Sequence, residues 1–71
     1  MIPMRRTWYV KQRGVRWSVI REDGIDADSL HDSKDDAIAR ALELTQQHRG
    51  QLRVQGRDGR IELEYDYIRE G

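Results

Sequence analysis

The sequence predicts an α+β fold: an antiparallel sheet of four to five strands with one helix packed on one face, in the order β-β-(β)-α-β-β. Three observations carry this expectation. Two runs of alternating apolar and polar residues each contain a tight-turn signal, Arg13-Gly14 in the first and Asp58-Gly59 in the second. Between them, residues 34–48 repeat their apolar positions at helical spacing. Residues 1–6 read as an N-terminal arm and residues 7–71 as one domain, because 71 residues support a single small core.

The first pair reads Trp8-Tyr9-Val10-Lys11-Gln12, then Arg13-Gly14, then Val15 to Ile20. With Arg13-Gly14 as the turn, Val10 faces Trp17 and Trp8 faces Val19. Both tryptophans then belong to the core face, while Tyr9, Lys11, Arg16 and Ser18 share the other side. A second two-residue signal, Asp23-Gly24, can fold Ile25–Leu30 back as a short third strand or leave it as a loop, since its acids disfavour a strand.

The helix carries Ala37, Ile38, Ala41, Leu42, Leu44 and Thr45 in one arc, with Ala39, Arg40, Glu43, Gln46 and Gln47 outside it. Ser33 is its expected N-cap, Asp36 completes a capping box, and Asp35 and Asp36 sit where the helix dipole favours negative charge. Gly50 supplies the stop. The small Ala37 and Ala41 permit close approach to a sheet.

In the last pair the turn at Asp58-Gly59 sets Val54 opposite Leu63 and Leu52 opposite Tyr65. It also sets Arg53 opposite Glu64 and Gln55 opposite Glu62. One side of this ribbon is apolar and the other charge-complementary.

Read together, Trp8 and Val10, Gly14, Trp17-Ser18-Val19, the helix start Asp32-Ser33-Lys34-Asp35-Asp36-Ala37-Ile38 and Gly56-Arg57-Asp58-Gly59-Arg60-Ile61 make the chain resemble the bacterial domain of unknown function numbered 2188. The resemblance runs from Trp8 to about Tyr67. It departs near Gln12 and Arg16, where members carry Pro and Gly, and in the tail Tyr65-Asp66-Tyr67-Ile68. It implies a small α+β domain and no activity, so no functional residue is carried over.

Composition narrows the function classes. The chain has no cysteine, which excludes disulfide staples, thiolate zinc sites and cysteine nucleophiles. Met1-Ile2-Pro3-Met4-Arg5-Arg6 lacks the apolar core of a signal peptide, and no run approaches membrane-spanning length, so the cytoplasm is the expected compartment and no membrane partner is expected. His31 and His48 have neither a paired nucleophile nor a third metal ligand at suitable spacing. His48 reads as a last-turn histidine bonded to local carbonyls. His31 with Asp26, Asp28 and Asp32 does not match a calcium loop. No metal, cofactor, catalytic residue or small-molecule substrate is expected; a cleft with paired functional groups is hard to build at this size.

Thirteen basic and thirteen acidic residues cancel, but unevenly. Residues 1–21 hold six cations and no acid, whereas residues 22–36 hold seven acids against Lys34. Such asymmetry marks a candidate binding surface. Tyr9, Lys11, Arg13 and Arg16 on the first hairpin, Arg57 and Arg60 at the second tip, and Tyr67 near the C-terminus are the candidate binding residues. An aromatic among cations suits single-stranded nucleic acid. A sheet covered on one face suits a protein partner or a second copy of the chain. The zero net charge and the single outward aromatic favour a non-catalytic protein-binding or adaptor module, with nucleic acid as the alternative.

Overall fold

A computed structural model of the protein describes residues 6–22, 24 and 26–67. The expected arm up to Arg5, the turn residue Asp23, the strand start Ile25, and Ile68 lie outside the described residues. The elements are β1 (Thr7–Arg13), β2 (Arg16–Arg21), β3 (Ser29–His31), α1 (Lys34–His48), β4 (Gln51–Gln55) and β5 (Ile61–Asp66). The strands form one sheet in the order β3-β2-β1-β4-β5, with α1 across one face.

The sheet is mixed, not antiparallel. β1–β2, β2–β3 and β4–β5 are antiparallel, but β4 lies parallel to β1, with Trp8 beside Leu52 and Val10 beside Val54. The cause is the direction of travel. β3 runs the same way as β1, and only residues 32–33 and 49–50 separate α1 from its flanking strands. A helix entered and left this abruptly reverses the chain twice, so the strand after it runs parallel to the strand before it. The third strand is also shorter than Ile25–Leu30, occupying Ser29–His31 alone.

The first turn falls on Gly14-Val15 instead of Arg13-Gly14. Val10 therefore faces Val19, Gln12 faces Trp17 and Trp8 faces Arg21. Gly14 has φ +63°, and a two-residue turn with its positive φ at the first central position wants glycine there. The expected register would have placed Arg13 in that conformation. The slip is by two residues, so every side chain keeps its face, and Trp8, Val10, Trp17 and Val19 are all buried as expected.

The second turn is a three-residue loop. Gly59 N–H donates to Gly56 O at 3.0 Å and Gly56 N–H to Arg60 O at 2.8 Å. Gly59 takes φ +82°, the left-handed position of such loops. One added loop residue makes Gln55 face Ile61 instead of Glu62, and a bulge then restores the expected pairs Val54–Leu63, Arg53–Glu64 and Leu52–Tyr65. Glu62, the unpaired residue, reaches the Lys34 ammonium at the start of α1.

Helix α1 follows the pattern closely. Ser33 caps it by accepting from Asp36 N–H at 3.1 Å. Ala37, Ala41, Leu44 and Thr45 are buried, with Ile38 and Leu42 partly so. Thr45 Oγ1 is satisfied inside the core by donating to Ala41 O at 2.6 Å. The stop is made by Arg49, in the left-handed conformation (φ 53°, ψ 49°), and not by Gly50. Gly50 is buried, and a Cβ on it would overlap the Arg6 carbonyl oxygen and lie 2.8 Å from Trp8 Cζ3. It is small because the first strand passes directly over it.

Arg40 fastens the flank of the helix to the segment before β3, donating to Glu43 at 2.8 Å and to Asp28 at 3.1 Å. These bonds, first to Glu43 and then to Asp28, raise its pKa above the ordinary arginine value.

Candidate functional site

The pleat of β1 and β2 turns Tyr9, Lys11, Arg13, Arg16, Ser18 and Ile20 to the face opposite α1. β4 and β5 add Arg53 and Glu64, so one row across the sheet reads Ile20, Tyr9, Arg53, Glu64. Tyr9 is half-buried in that row. Lys11 Nζ stands 5.1 Å from its ring centroid, and Arg53 donates to its hydroxyl at 3.4 Å. Tyr9 is therefore already stacked by a cation and anchored at its polar end, which leaves less ring for a nucleobase than an open platform would.

The basic surface is interrupted by acids. Arg16 pairs with Asp32 at 3.4 Å and Arg53 with Glu64 at 3.5 Å. Arg13 and Arg16 face each other across the ladder, an arrangement of like charges that Asp32 offsets. Toward the β3 edge the same face turns apolar, with Ile20 half-buried and Leu30, beside Ser18, 46% exposed.

Because β1 and β4 are parallel, the β1–β2 and β4–β5 turns project from the same end of the sheet. This brings Arg57 and Arg60 to the end that carries Arg13 and Arg16, which antiparallel strands would not have guaranteed. Arg60 is held by Asp58, through its backbone N–H at 3.0 Å and its guanidinium at 3.7 Å. Arg57 lines an open cleft of about 600 Å³ with Trp17, Asp32, Ser33, Lys34, Asp58 and Glu62. Lys34 Nζ lies 5.2 Å from the Trp17 ring centroid. Tyr67 lies apart, at the opposite end, with its N–H on Gly50 O at 2.8 Å and its hydroxyl accepting from Gln46 at 3.2 Å.

The histidines serve the scaffold. His48 is exposed, and its Nδ1 accepts from the Arg6 guanidinium at 2.8 Å while the ring stacks on Trp8 at 5.3 Å and 23°. Its partners are thus the side chains of Trp8 in the first strand and of Arg6 just before it, and not the local carbonyls expected from the helix alone. His31 Nε2 is 2.8 Å from Ser29 Oγ. Among the described residues, no three His, Cys, Asp or Glu side chains gather to hold a metal.

One surface was not apparent from the sequence. Leu63 lies on the α1 face of the sheet beside Val54, yet it is 44% exposed, and its neighbour Ile61 is 43% exposed. The signal was available in dimensions: a helix about 10 Å across cannot shield five strands set about 4.8 Å apart. It packs over β1, β2, β3 and β4, and β5 extends beyond it as an edge.

Among the described residues these features define a small α+β module, one helix on a five-stranded mixed sheet, with an open face of mixed charge and an edge strand, β5, that the helix does not cover. The chain belongs to the bacterial family DUF2188, described as an uncharacterized protein conserved in bacteria, whose profile matches residues 4–67. No curated protein and no solved structure matches the chain. Among the described residues no helix is long and apolar enough to cross a membrane.

Proposed function

We propose that this chain is a non-catalytic protein-binding or adaptor module of the bacterial cytoplasm, self-association included. The observation that supports it is the reach of the helix, which leaves Ile20, Leu30 and Tyr9 on an open face and Ile61 and Leu63 along an edge. Apolar groups left next to charged ones suit a partner surface, with an aromatic and aliphatic centre and a polar rim. Strand addition to an edge is a recurring way to use such a sheet.

The alternative is nucleic-acid binding, favoured by the convergence of Arg13, Arg16, Arg57 and Arg60 on one end of the sheet. Against it stand the carboxylates beside Arg16 and Arg60. Charges within a Debye length of about 8 Å offset much of the attraction for phosphate. Capture from a bacterial lysate, with and without nuclease treatment, separates the two. The expected result is a protein partner, or a second copy, retained after nuclease. Capture lost on nuclease treatment, together with sub-micromolar and steeply salt-dependent binding of a short oligonucleotide, would replace the protein reading with the nucleic-acid one.

A further inference from the structure

Strand β5 is an edge with two chemically distinct sides. On the side facing away from α1 it presents Glu64, opposite Arg53, and Asp66, opposite Gln51; on the α1 side it presents Leu63 and Tyr65, opposite Val54 and Leu52. Among the described residues it pairs with β4 alone, so along its other margin no described strand takes its backbone groups, and a further strand can pair there. At six residues it is twice as long as β3, the other edge.

The space beside it on the α1 side is also defined. Lys34, Ile38, Leu42 and Gln46 recur every fourth residue and form one stripe along the helix. The two ends of that stripe reach the β5 region, Lys34 to Glu62 and Gln46 to the Tyr67 hydroxyl. Between these ties lie Ile38 and Leu42, which like Tyr65 are partly buried against the core, and Leu63, on the α1 side of β5, is half-exposed. A strand laid against β5 would point every second side chain into this apolar strip.

We infer that β5 receives an extended segment of a partner protein in which apolar and basic residues alternate, as a sixth strand of the sheet. Its apolar side chains pack on Leu63 and Tyr65 beside the helix. Its Lys or Arg side chains, on the opposite face, meet Glu64. Charge complementarity selects this occupant. Glu62, Glu64 and Asp66 are the charged residues of β5 and all are acidic, and Glu64 remains 64% exposed despite its bond to Arg53. A second copy of β5 would place carboxylate against carboxylate, an unfavourable cross-strand pairing. The inference rests on the protein-binding reading and names the class of partner.

The test is an amide NMR titration of the intact chain with two capped octapeptides, one alternating Val and Lys and the other alternating Val and Glu. The Val/Lys peptide is expected to shift the Ile61–Asp66 amides and protect about every second one from exchange, binding about fivefold more tightly than Val/Glu. Glu64→Lys is expected to remove or invert that preference and Glu64→Gln to reduce it; thermal melting confirms that both variants fold. Equal binding of the two peptides, no shift at millimolar peptide, or shifts confined to the face around Tyr9 would overturn the assignment. A nuclease-resistant partner captured equally well by Leu63→Lys would also overturn it while leaving the protein reading intact. Loss of capture on nuclease treatment would remove that reading itself.

Discussion

Replacing Gly50 by Ala tests the central joint of the fold. A methyl group there would overlap Arg6 O and lie 2.8 Å from Trp8 Cζ3, well inside the 3.4 Å at which ordinary contact begins. Neither neighbour can yield cheaply. Gln51 N–H bonds Arg6 O at 2.7 Å, Gly50 N–H bonds Thr45 O at 2.9 Å, and Tyr67 N–H bonds Gly50 O at 2.8 Å; the Trp8 ring is held by the core below and His48 above. Relieving the overlap therefore means prying β1 from β4 at the start of their parallel ladder. Overpacking costs about 1–3 kcal/mol, and weakening two of these bonds about 1 kcal/mol each. The stiffer unfolded chain returns about 0.4–1 kcal/mol. The net expectation is a loss of about 3 kcal/mol, from a total that for a chain this size is about 4–10 kcal/mol. Urea unfolding followed by tryptophan fluorescence reads this directly, and the melting temperature should fall by about 15 °C. Gly14→Ala is the control: its Cβ meets open space but its φ is +63°, so about 1–2 kcal/mol is expected from backbone strain alone. If Gly50→Ala costs no more than Gly14→Ala, the close passage of β1 over the helix terminus is wrong.

Trp17→Ala should destabilise the domain by about 3–5 kcal/mol in chemical denaturation, because it empties the core beneath Lys34; a loss below about 1 kcal/mol would contradict the burial of that ring. Gly59→Val should be costly in thermal unfolding, since φ is +82° there, while Asp58→Asn should be nearly silent because an amide oxygen still accepts from Arg60 N–H. Equal effects would refute the loop geometry. Oligonucleotide binding measured against salt should be weak. If it proves tight, Lys11→Ala and Arg16→Ala should each reduce the salt slope by about one unit, and Tyr9→Ala should cost about 1–3 kcal/mol without changing it. Self-association or partner capture, followed by sedimentation or pull-down, should respond to an edge change such as Leu63→Lys and not to Arg57→Ala.

Local patterning by itself determined the helix and which face of each strand is buried. The arc from Ala37 to Thr45 and the alternation through Trp8, Val10, Trp17 and Val19 are properties of neighbouring residues, and side-chain parity survives even a two-residue slip of register. The turn residues were legible as types but not in placement. Which of Arg13-Gly14 or Gly14-Val15 makes the turn depends on where the positive φ falls, and whether Asp58-Gly59 is a two- or three-residue loop depends on Glu62 bulging toward Lys34, twenty-eight positions away.

Tertiary structure alone decided how the pieces meet. The parallel placement of β4 beside β1 follows from the short links on both sides of the helix, and it gathers the basic tips at one end while leaving Tyr67 at the other. Gly50 resembled a helix stop because glycine commonly is one, yet it is required by contact with Arg6 and Trp8 more than forty residues earlier. His48 likewise found its partners in β1 and the residue before it. The pairing pattern of Leu63 promised a core residue, and only the finite width of one helix over five strands left it at an edge. A sequence records what each residue prefers locally; coverage, strand neighbours and long-range contacts depend on the shape of everything else in the fold.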